Sequence, residues 1–558
     1  MLDLKIDNAL VYDGSGGAAR SASVGVKDGR IVAVGVVHGQ AATTVDAHGL
    51  ALMPGIVDTH THYDAQITWD PYANPSPALG VTTLIMGNCG FTIAPCRPSE
   101  RDLTMRNLTH VEGMSLEALR AGIDWGFESF PEYLEMLESK GVGPNVACFV
   151  GHSGVRTFVM RNDATRRAAT GDEVAQMRRI VLEAVEAGAC GFSTTRSYQH
   201  NGEAGVPMPS RLADDQEMLA LSGALREGRK GLLMMTKASD TPVPWIETLA
   251  AAADRPYLVA ALLHSNLTPE ATFEDLKHIA NARSRGRQMY GAVSACPLNF
   301  EFTMHEPYVF EGLAAWQPLM KMDESQVGKM LADPAFRQSL KDELAIRARR
   351  MFTGEWDKAF VAQVADPAHA SYEGQSIEAS ARNKGVHPVD FMLDLALAEN
   401  LDTLFTATLL NSDENAVGRM LNDPNAIVSL SDAGAHLTFL CDAGFGLHLL
   451  GYWVRERKLM PLEQAVKKLT LEPARLAGIR DRGTIAAGNW ADLLLFDPAT
   501  VGRGRSERVY DLPAGASRIN TPGKGVRGVW VNGQLIADSD GLRKSAPRAG
   551  QVLREFAS

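Results

Sequence analysis

Apolar and polar residues are arranged in two different ways along this chain. Near the start, Leu4 to Tyr12, Ala22 to Val26 and Arg30 to Val34 are short, mostly apolar runs, broken by the turns Asp13-Gly-Ser-Gly-Gly17 and Asp28-Gly29. Such runs predict short strands joined by tight turns. The same signature returns at the other end, in Ala491 to Phe496 and Val526 to Ile536. Both ends are therefore expected to share one small β-sandwich domain, residues 1–54 with 481–558, into which the rest of the chain is inserted.

Between about 55 and 480 the rhythm changes to apolar strand-like runs separated by helix-like stretches, the pattern of parallel strands with crossover helices. One helix is delimited clearly: Thr170 and Glu173 form a capping-box pair, Val174, Met177, Val181 and Ala184 follow on one face, and Gly188 closes the segment. The strand candidates are Gly55–His60, Thr82–Met86, Val146–Val150, Ala189–Thr194, Gly231–Met235, Tyr257–Leu263, Leu404–Leu410 and Ile427–Ser431. Eight such units predict an α/β fold, a (β/α)8 TIM barrel over 55–480. The excess length falls between the sixth and seventh candidates. There residues 300–350, with Trp316, Met320, Met322 and Met330, read as a helical insertion, either a lid or a subunit contact.

Composition narrows the function classes without changing this layout. The chain has 558 residues, enough for a large catalytic domain plus a smaller module. Its formal charge of −11 and its lack of a basic run argue against a nucleic-acid partner. A small-molecule substrate is expected instead, with a homo-oligomer left open. The opening residues lack a charged start followed by an apolar run, and no span approaches the ~18 apolar residues of a membrane helix. The six cysteines, at 89, 96, 148, 190, 296 and 441, form no CxxC pair. That spacing fits a reducing cytoplasm better than a disulfide framework.

Candidate chemistry gathers at the C-terminal ends of the expected strands, where a barrel carries its active site. His60 and His62 are two apart in extended chain, so both imidazoles can reach one metal ion. Cys89, between glycines in Gly87-Asn-Cys-Gly90, offers a thiolate suited to zinc, or else a buried structural thiol. His264 ends the sixth strand as a ligand or a core histidine, and Asp432 ends the eighth. A carboxylate at Asp432 can bind a metal and shuttle a proton as general acid–base; its plainer role is to cap the following loop.

These residues resemble the amidohydrolase superfamily and, within it, the N-acyl-D-amino-acid deacylase (D-aminoacylase) group. The resemblance runs through Pro54-Gly-Ile-Val-Asp-Thr-His-Thr-His62, Gly87-Asn-Cys-Gly-Phe-Thr-Ile-Ala-Pro95, Gly151-His-Ser-Gly-Val-Arg156, Glu186-Ala-Gly-Ala-Cys-Gly-Phe-Ser-Thr194, Ser431-Asp432 and Gly483-Thr-Ile-Ala-Ala-Gly488. It implies one or two zinc ions on His60, His62, Cys89, His264 and Asp432, with Asp432 as the acid–base group in amide hydrolysis of an N-acyl-D-amino acid. It also implies a histidine after the fifth strand, but this chain reads Met234-Met-Thr-Lys-Ala-Ser239. Either Thr236 or Lys237 occupies that place. Lys237 is a ligand there if carboxylated, and otherwise a solvent-facing or salt-bridged lysine. The group meets the substrate carboxylate with basic and phenolic residues, here Arg196 and Tyr198, although a loop salt bridge also accounts for Arg196. The departure leaves room for a cyclic amide, an imide or a carbon–carbon bond as substrate. A barrel kept only for binding is disfavoured by the joint presence of His60, His62 and Asp432.

Overall fold

The computed structural model describes residues 1–557 apart from 347 and 349. The chain divides into two units, one of Met1–Leu262, Phe273–Ala295 and everything from Gly418 on, the other of Leu263–Thr272 and Cys296–Val417.

The first unit contains the barrel. Its parallel strands are Ile56–Thr61, Val81–Met86, Asn145–Gly151, Gly191–Thr195, Leu232–Thr236, Tyr257–Leu262 and Met289–Val293, followed by Ala426–Val428 and Leu430–Ala433. The last two are separated by Ser429 alone, and they pair in opposite directions around the ring, Ala426–Val428 with Met289–Val293 and Leu430–Ala433 with Ile56–Thr61. They act as one interrupted eighth strand, and it closes the barrel. Both faces of the first three strands are buried, which explains why they read as nearly continuous apolar runs. The helix Gly171–Ala187 forms as its sequence dictates, with the Thr170–Glu173 capping box made and Gly188 left-handed at its end.

Strands from both chain ends share a second sheet. Its order runs from Gly541–Leu542 through Gln534–Asp538, Val526–Val531, Leu493–Phe496, Ala51–Pro54, Leu2–Val11 and Arg20–Lys27 to Arg30–Gly35, with Ala41–Asp46 paired to Leu2–Val11. Leu4, Ile6, Val24, Val26, Leu52, Leu493, Leu495 and Trp530 form its core. The chain passes from this sheet into the first barrel strand through Gly55, where a Cβ would lie 2.0 Å from the Thr82 hydroxyl. Only glycine fits that junction.

The barrel's seventh strand differs from the one expected. Leu404–Leu410 is a strand, but it belongs to the second unit, in an antiparallel sheet with Leu298–Phe302 and Ala359–Gln363. Its alternate residues are buried and half-buried, the mark of a strand with one open face, and Thr406 and Thr408 already carried that alternation. The true seventh strand, Met289–Val293, is short and interrupted by Gly291, where a Cβ would press on Leu262 at 2.4 Å. The long insertion accordingly follows the seventh strand rather than the sixth. It is not simply helical: helices Glu324–Ala332 and Pro334–Ala345 come after a strand and two short 3-10 turns. Among the described residues, no helix is long and apolar enough to cross a membrane.

Candidate metal centre

The first, second and eighth strands bring their end residues together. His60 lies in the first strand and His62 just beyond it, and alternation along extended backbone turns both rings the same way, their centroids 5.3 Å apart. Cys89 follows the second strand in a sharp loop, its Sγ 3.5 Å from His60 Nε2 and 4.0 Å from His62 Nε2. The donor atoms of these three residues all lie within 4.8 Å of one another. Asp432, from the eighth strand, places Oδ1 3.1 Å from His60 Nε2 and 3.6 Å from His62 Nε2. The histidines and Cys89 are buried, whereas the Asp432 side chain is 24% exposed and so opens toward solvent.

The supporting residues hold this geometry from behind. Asp58 accepts the His60 backbone N–H (3.1 Å) and the Ser431 hydroxyl (2.5 Å), locking the first strand to the eighth beside Asp432. Glu112, at the end of the helix Arg101–Glu112, sets Oε1 3.1 Å from His62 Nδ1, within reach of the ring N–H though off its best angle. Asp432 and Cys89 both adopt left-handed backbone, with φ of 50° and 56°. Non-glycine residues persist there only where their surroundings over-determine them, as at functional sites.

The electrostatics follow from burial set against neighbours. Burial opposes charge on Cys89, yet the His60 and His62 rings outweigh it and bring the thiol down to about 7. Burial likewise opposes charge on His60, but Cys89 and Asp432 push it up to about 9. Asp432 is held well below the usual carboxylate range by the same two imidazoles, against its own burial. Burial lifts Asp58 to about 7, against the hydrogen bonds from Ser431 and the His60 backbone. The cluster thus balances a thiolate and a carboxylate with protons on imidazoles, and a dication can take over the balancing role.

Two imidazole nitrogens, one sulfur and one carboxylate oxygen form a donor set suited to zinc. Zinc–ligand distances of ~2.0–2.3 Å imply ligand-to-ligand spacings of roughly 3.3–3.8 Å in a tetrahedron. The contacts of Cys89 and of Asp432 with the two imidazoles span 3.1–4.0 Å, and the donors of His60, His62 and Cys89 lie within 4.8 Å of one another. The residues present fit the ion.

The other expected site residues are placed as follows. Thr236 and Lys237, both candidates for the vacant fifth-strand position, part company: the Thr236 hydroxyl lies 3.0 Å from Cys89 Sγ, while Lys237 Nζ pairs with Asp275 at 2.5 Å. Alternation on the strand sends these neighbours to opposite sides. Arg196 pairs with Asp215 (3.1 Å) and Asp240 (3.3 Å) and lies over Trp245, and Tyr198 is 59% exposed. His264 is buried and belongs to the second unit, where its backbone N–H donates to Asn411 Oδ1 at 2.7 Å. Glu112, His200 and the bond of Ser431 to Asp58 escaped the linear reading. His200 stands edge-on to Phe91 at 4.9 Å, and Phe91 lies 6.2 Å from the His62 ring. Burial, ahead of the neighbouring His436 and His62, holds His200 down at about 3. None of the three carries a local motif that strand or helix periodicity would single out.

Comparison with known proteins gives a consistent picture. A model of the amidohydrolase family matches residues 43–537. The chain is similar to an N-acyl-D-aspartate deacylase of Alcaligenes xylosoxydans xylosoxydans, 29% identical, over 99% of this chain and 95% of that one. Among solved structures it resembles a D-aminoacylase, described as defining a novel subset of amidohydrolases, with a TM-score of 0.68 and 24% identity over the whole of both chains. It also resembles an N-acyl-D-glutamate deacylase from Bordetella bronchiseptica complexed with zinc and a phosphonate inhibitor, with a TM-score of 0.65 and 25% identity over 99% of this chain and 100% of that one.

Proposed function

The chain belongs to the amidohydrolase family, and from that premise we propose that it is a zinc-dependent hydrolase of N-acyl-D-amino acids or closely similar N-acyl compounds. The observation that carries this reading is the convergence of His60, His62 and Cys89 with Asp432 in contact with both imidazoles. His60, His62 and Cys89 hold the ion, with Asp432 Oδ1 beside it. When bound, zinc supplies Lewis acidity at neutral pH, acidifying water and polarising an amide carbonyl.

Asp432 does the proton work in this reading. Its carboxylate takes the proton of the attacking water and delivers it to the leaving nitrogen. A C–O bond forms, the C–N bond breaks, and a carboxylic acid and a free amine leave. Asp432 is ionised at neutral pH, the state in which a carboxylate can accept that proton. Asp58 and Ser431 orient the strand ends that carry His60 and Asp432. Arg196 and Tyr198 are assigned the substrate carboxylate; Arg196 meets it by exchanging one of its exposed aspartate partners. We assign the enzyme to the cytoplasm, which suits six cysteines that are all free thiols.

The test is turnover of N-acetyl-D-amino acids, assayed beside their L forms and cyclic amides, by wild-type enzyme and Asp432→Asn. Wild-type turnover of the D substrates is expected, with kcat lowered ~10²–10⁴-fold or more in the folded, metal-loaded variant. An Asp432→Asn enzyme of undiminished kcat removes the acid–base assignment. Turnover of cyclic amides alone removes the substrate class.

A further inference from the structure

A hydroxyl from another strand bonds the loop that carries Cys89 on both sides of the cysteine. The loop that carries it turns left-handed at Gly87 (φ 86°), Cys89 (φ 56°) and Gly90 (φ 80°). For cysteine that conformation costs on the order of 1 kcal/mol or more, so neighbours must hold it. Asp64 accepts the Gly87 N–H (2.8 Å), and Asn88 Nδ2 donates to the carbonyls of Ile85 (2.9 Å) and Thr61 (3.2 Å). These contacts anchor the entry to the loop.

Ser193, on the fourth barrel strand and fully buried, spans both sides of the cysteine. Its hydroxyl donates to the Gly87 carbonyl and accepts the Gly90 N–H at 3.1 Å. One oxygen thus bridges the backbone just before and just after the Asn88–Cys89 pair. The loop is pressed on this strand so closely that a Cβ at Gly90 would lie 3.1 Å from the Ser193 carbonyl and 3.2 Å from Thr194 Cα. The next residue, Thr194, turns the other way and bonds His152 Nδ1 at 2.8 Å.

We infer that Ser193 is a positioning residue of the metal centre: its hydroxyl clamps the Gly87–Gly90 loop and so aims the Cys89 sulfur at His60 and His62. The inference rests on the reading of Cys89 as a metal ligand. A group that orients a ligand in this way typically contributes ~10–100-fold to metal affinity.

The experiment compares full-length wild type with Ser193→Ala, Ser193→Thr and Ser193→Val, and with Thr194→Val as a neighbouring hydroxyl deletion. Threonine and valine have the same shape and differ only in the hydroxyl. Zinc release is titrated with a chelator, and the cobalt-substituted proteins are read for the sulfur-to-cobalt charge-transfer band. Ser193→Ala and Ser193→Val are expected to release zinc ~10–100-fold more readily and to weaken that band. Ser193→Thr should be restored toward wild type, and Thr194→Val should match it. Melting of the metal-free proteins separates loss of aim from loss of fold, with Ser193→Ala and wild type expected to melt alike. Equal zinc retention and equal bands in the Thr and Val variants, or a wild-type response from Ser193→Ala, overturn the clamp. A wild type that binds zinc but whose cobalt-substituted form lacks the sulfur band overturns instead the reading of Cys89 as a ligand.

Discussion

Truncating Glu112 to alanine removes the one carboxylate whose oxygen lies 3.1 Å from Nδ1 of His62, and both side chains are only 4% exposed. Solvent screens such a pair weakly. At an effective dielectric of about 20, two unit charges at that separation interact by about 5 kcal/mol. That figure is an upper bound, because an imidazole that ligates a metal is neutral and keeps only the oriented hydrogen-bonding part of the attraction. Loss of orientation in a carboxylate–histidine–zinc chain costs ~10–100-fold in affinity, or about 1.4–2.7 kcal/mol. The expected outcome is therefore a zinc affinity ~10–100-fold weaker in Glu112→Ala and less weakened in Glu112→Gln, whose amide oxygen can still accept from Nδ1. Competition with a chromophoric chelator at neutral pH measures it, with circular dichroism confirming the fold. A Glu112→Ala protein that holds zinc as tightly as wild type would show that His62 is oriented by its strand alone.

Three further outcomes follow from other parts of the molecule. Lys237→Ala should keep its full metal content and lose about 1 kcal/mol of stability or less, because Lys237 is spent on the partly exposed Asp275 pair; metal loss in this variant would revive the carboxylated lysine. Arg482→Ala should cost ~3–5 kcal/mol, because it strands the buried Asp492 carboxylate that Arg482 pairs with beside Asn532 and Gln551; an unchanged melting temperature would refute that. His152 is fully buried, and its pKa is lowered first by that burial and also by Arg156, outweighing Glu217. The unfolded chain then takes up a proton that the fold refuses, so stability should fall as pH drops below about 6.5, by no more than about 1.4 kcal/mol per unit from this residue. Denaturant titrations across that range check it, and the slope of His152→Gln should be shallower; equal slopes would remove His152 from the account.

Much of the layout was legible because it is written in local patterns. The short apolar runs and tight turns at both chain ends, the capping box at Thr170 and the apolar runs before His60, Cys89 and Asp432 each reflect backbone geometry that acts over a few residues. Pairing partners are another matter. Leu404–Leu410 reads as a strand and is one, but the sheet it joins depends on contacts far away in sequence. Met289–Val293 is too short and too broken by Gly291 to announce itself, and it is a barrel strand because its neighbours on either side complete its hydrogen bonds.

The site divides in the same way. By itself the sequence determined which candidate donors are present and how they are spaced, His60 with His62 on one side of a strand, a thiol in a glycine-flanked loop and a carboxylate at the last strand's end. Only the tertiary structure decided that Thr236 rather than Lys237 lies beside Cys89, that Glu112 backs His62, and that Ser193 bridges the loop holding the sulfur. The physical reason is that a ligand's type is a property of one residue. Its direction is set by hydrogen bonds and packing from strands and helices tens to hundreds of positions away, and no local period records them.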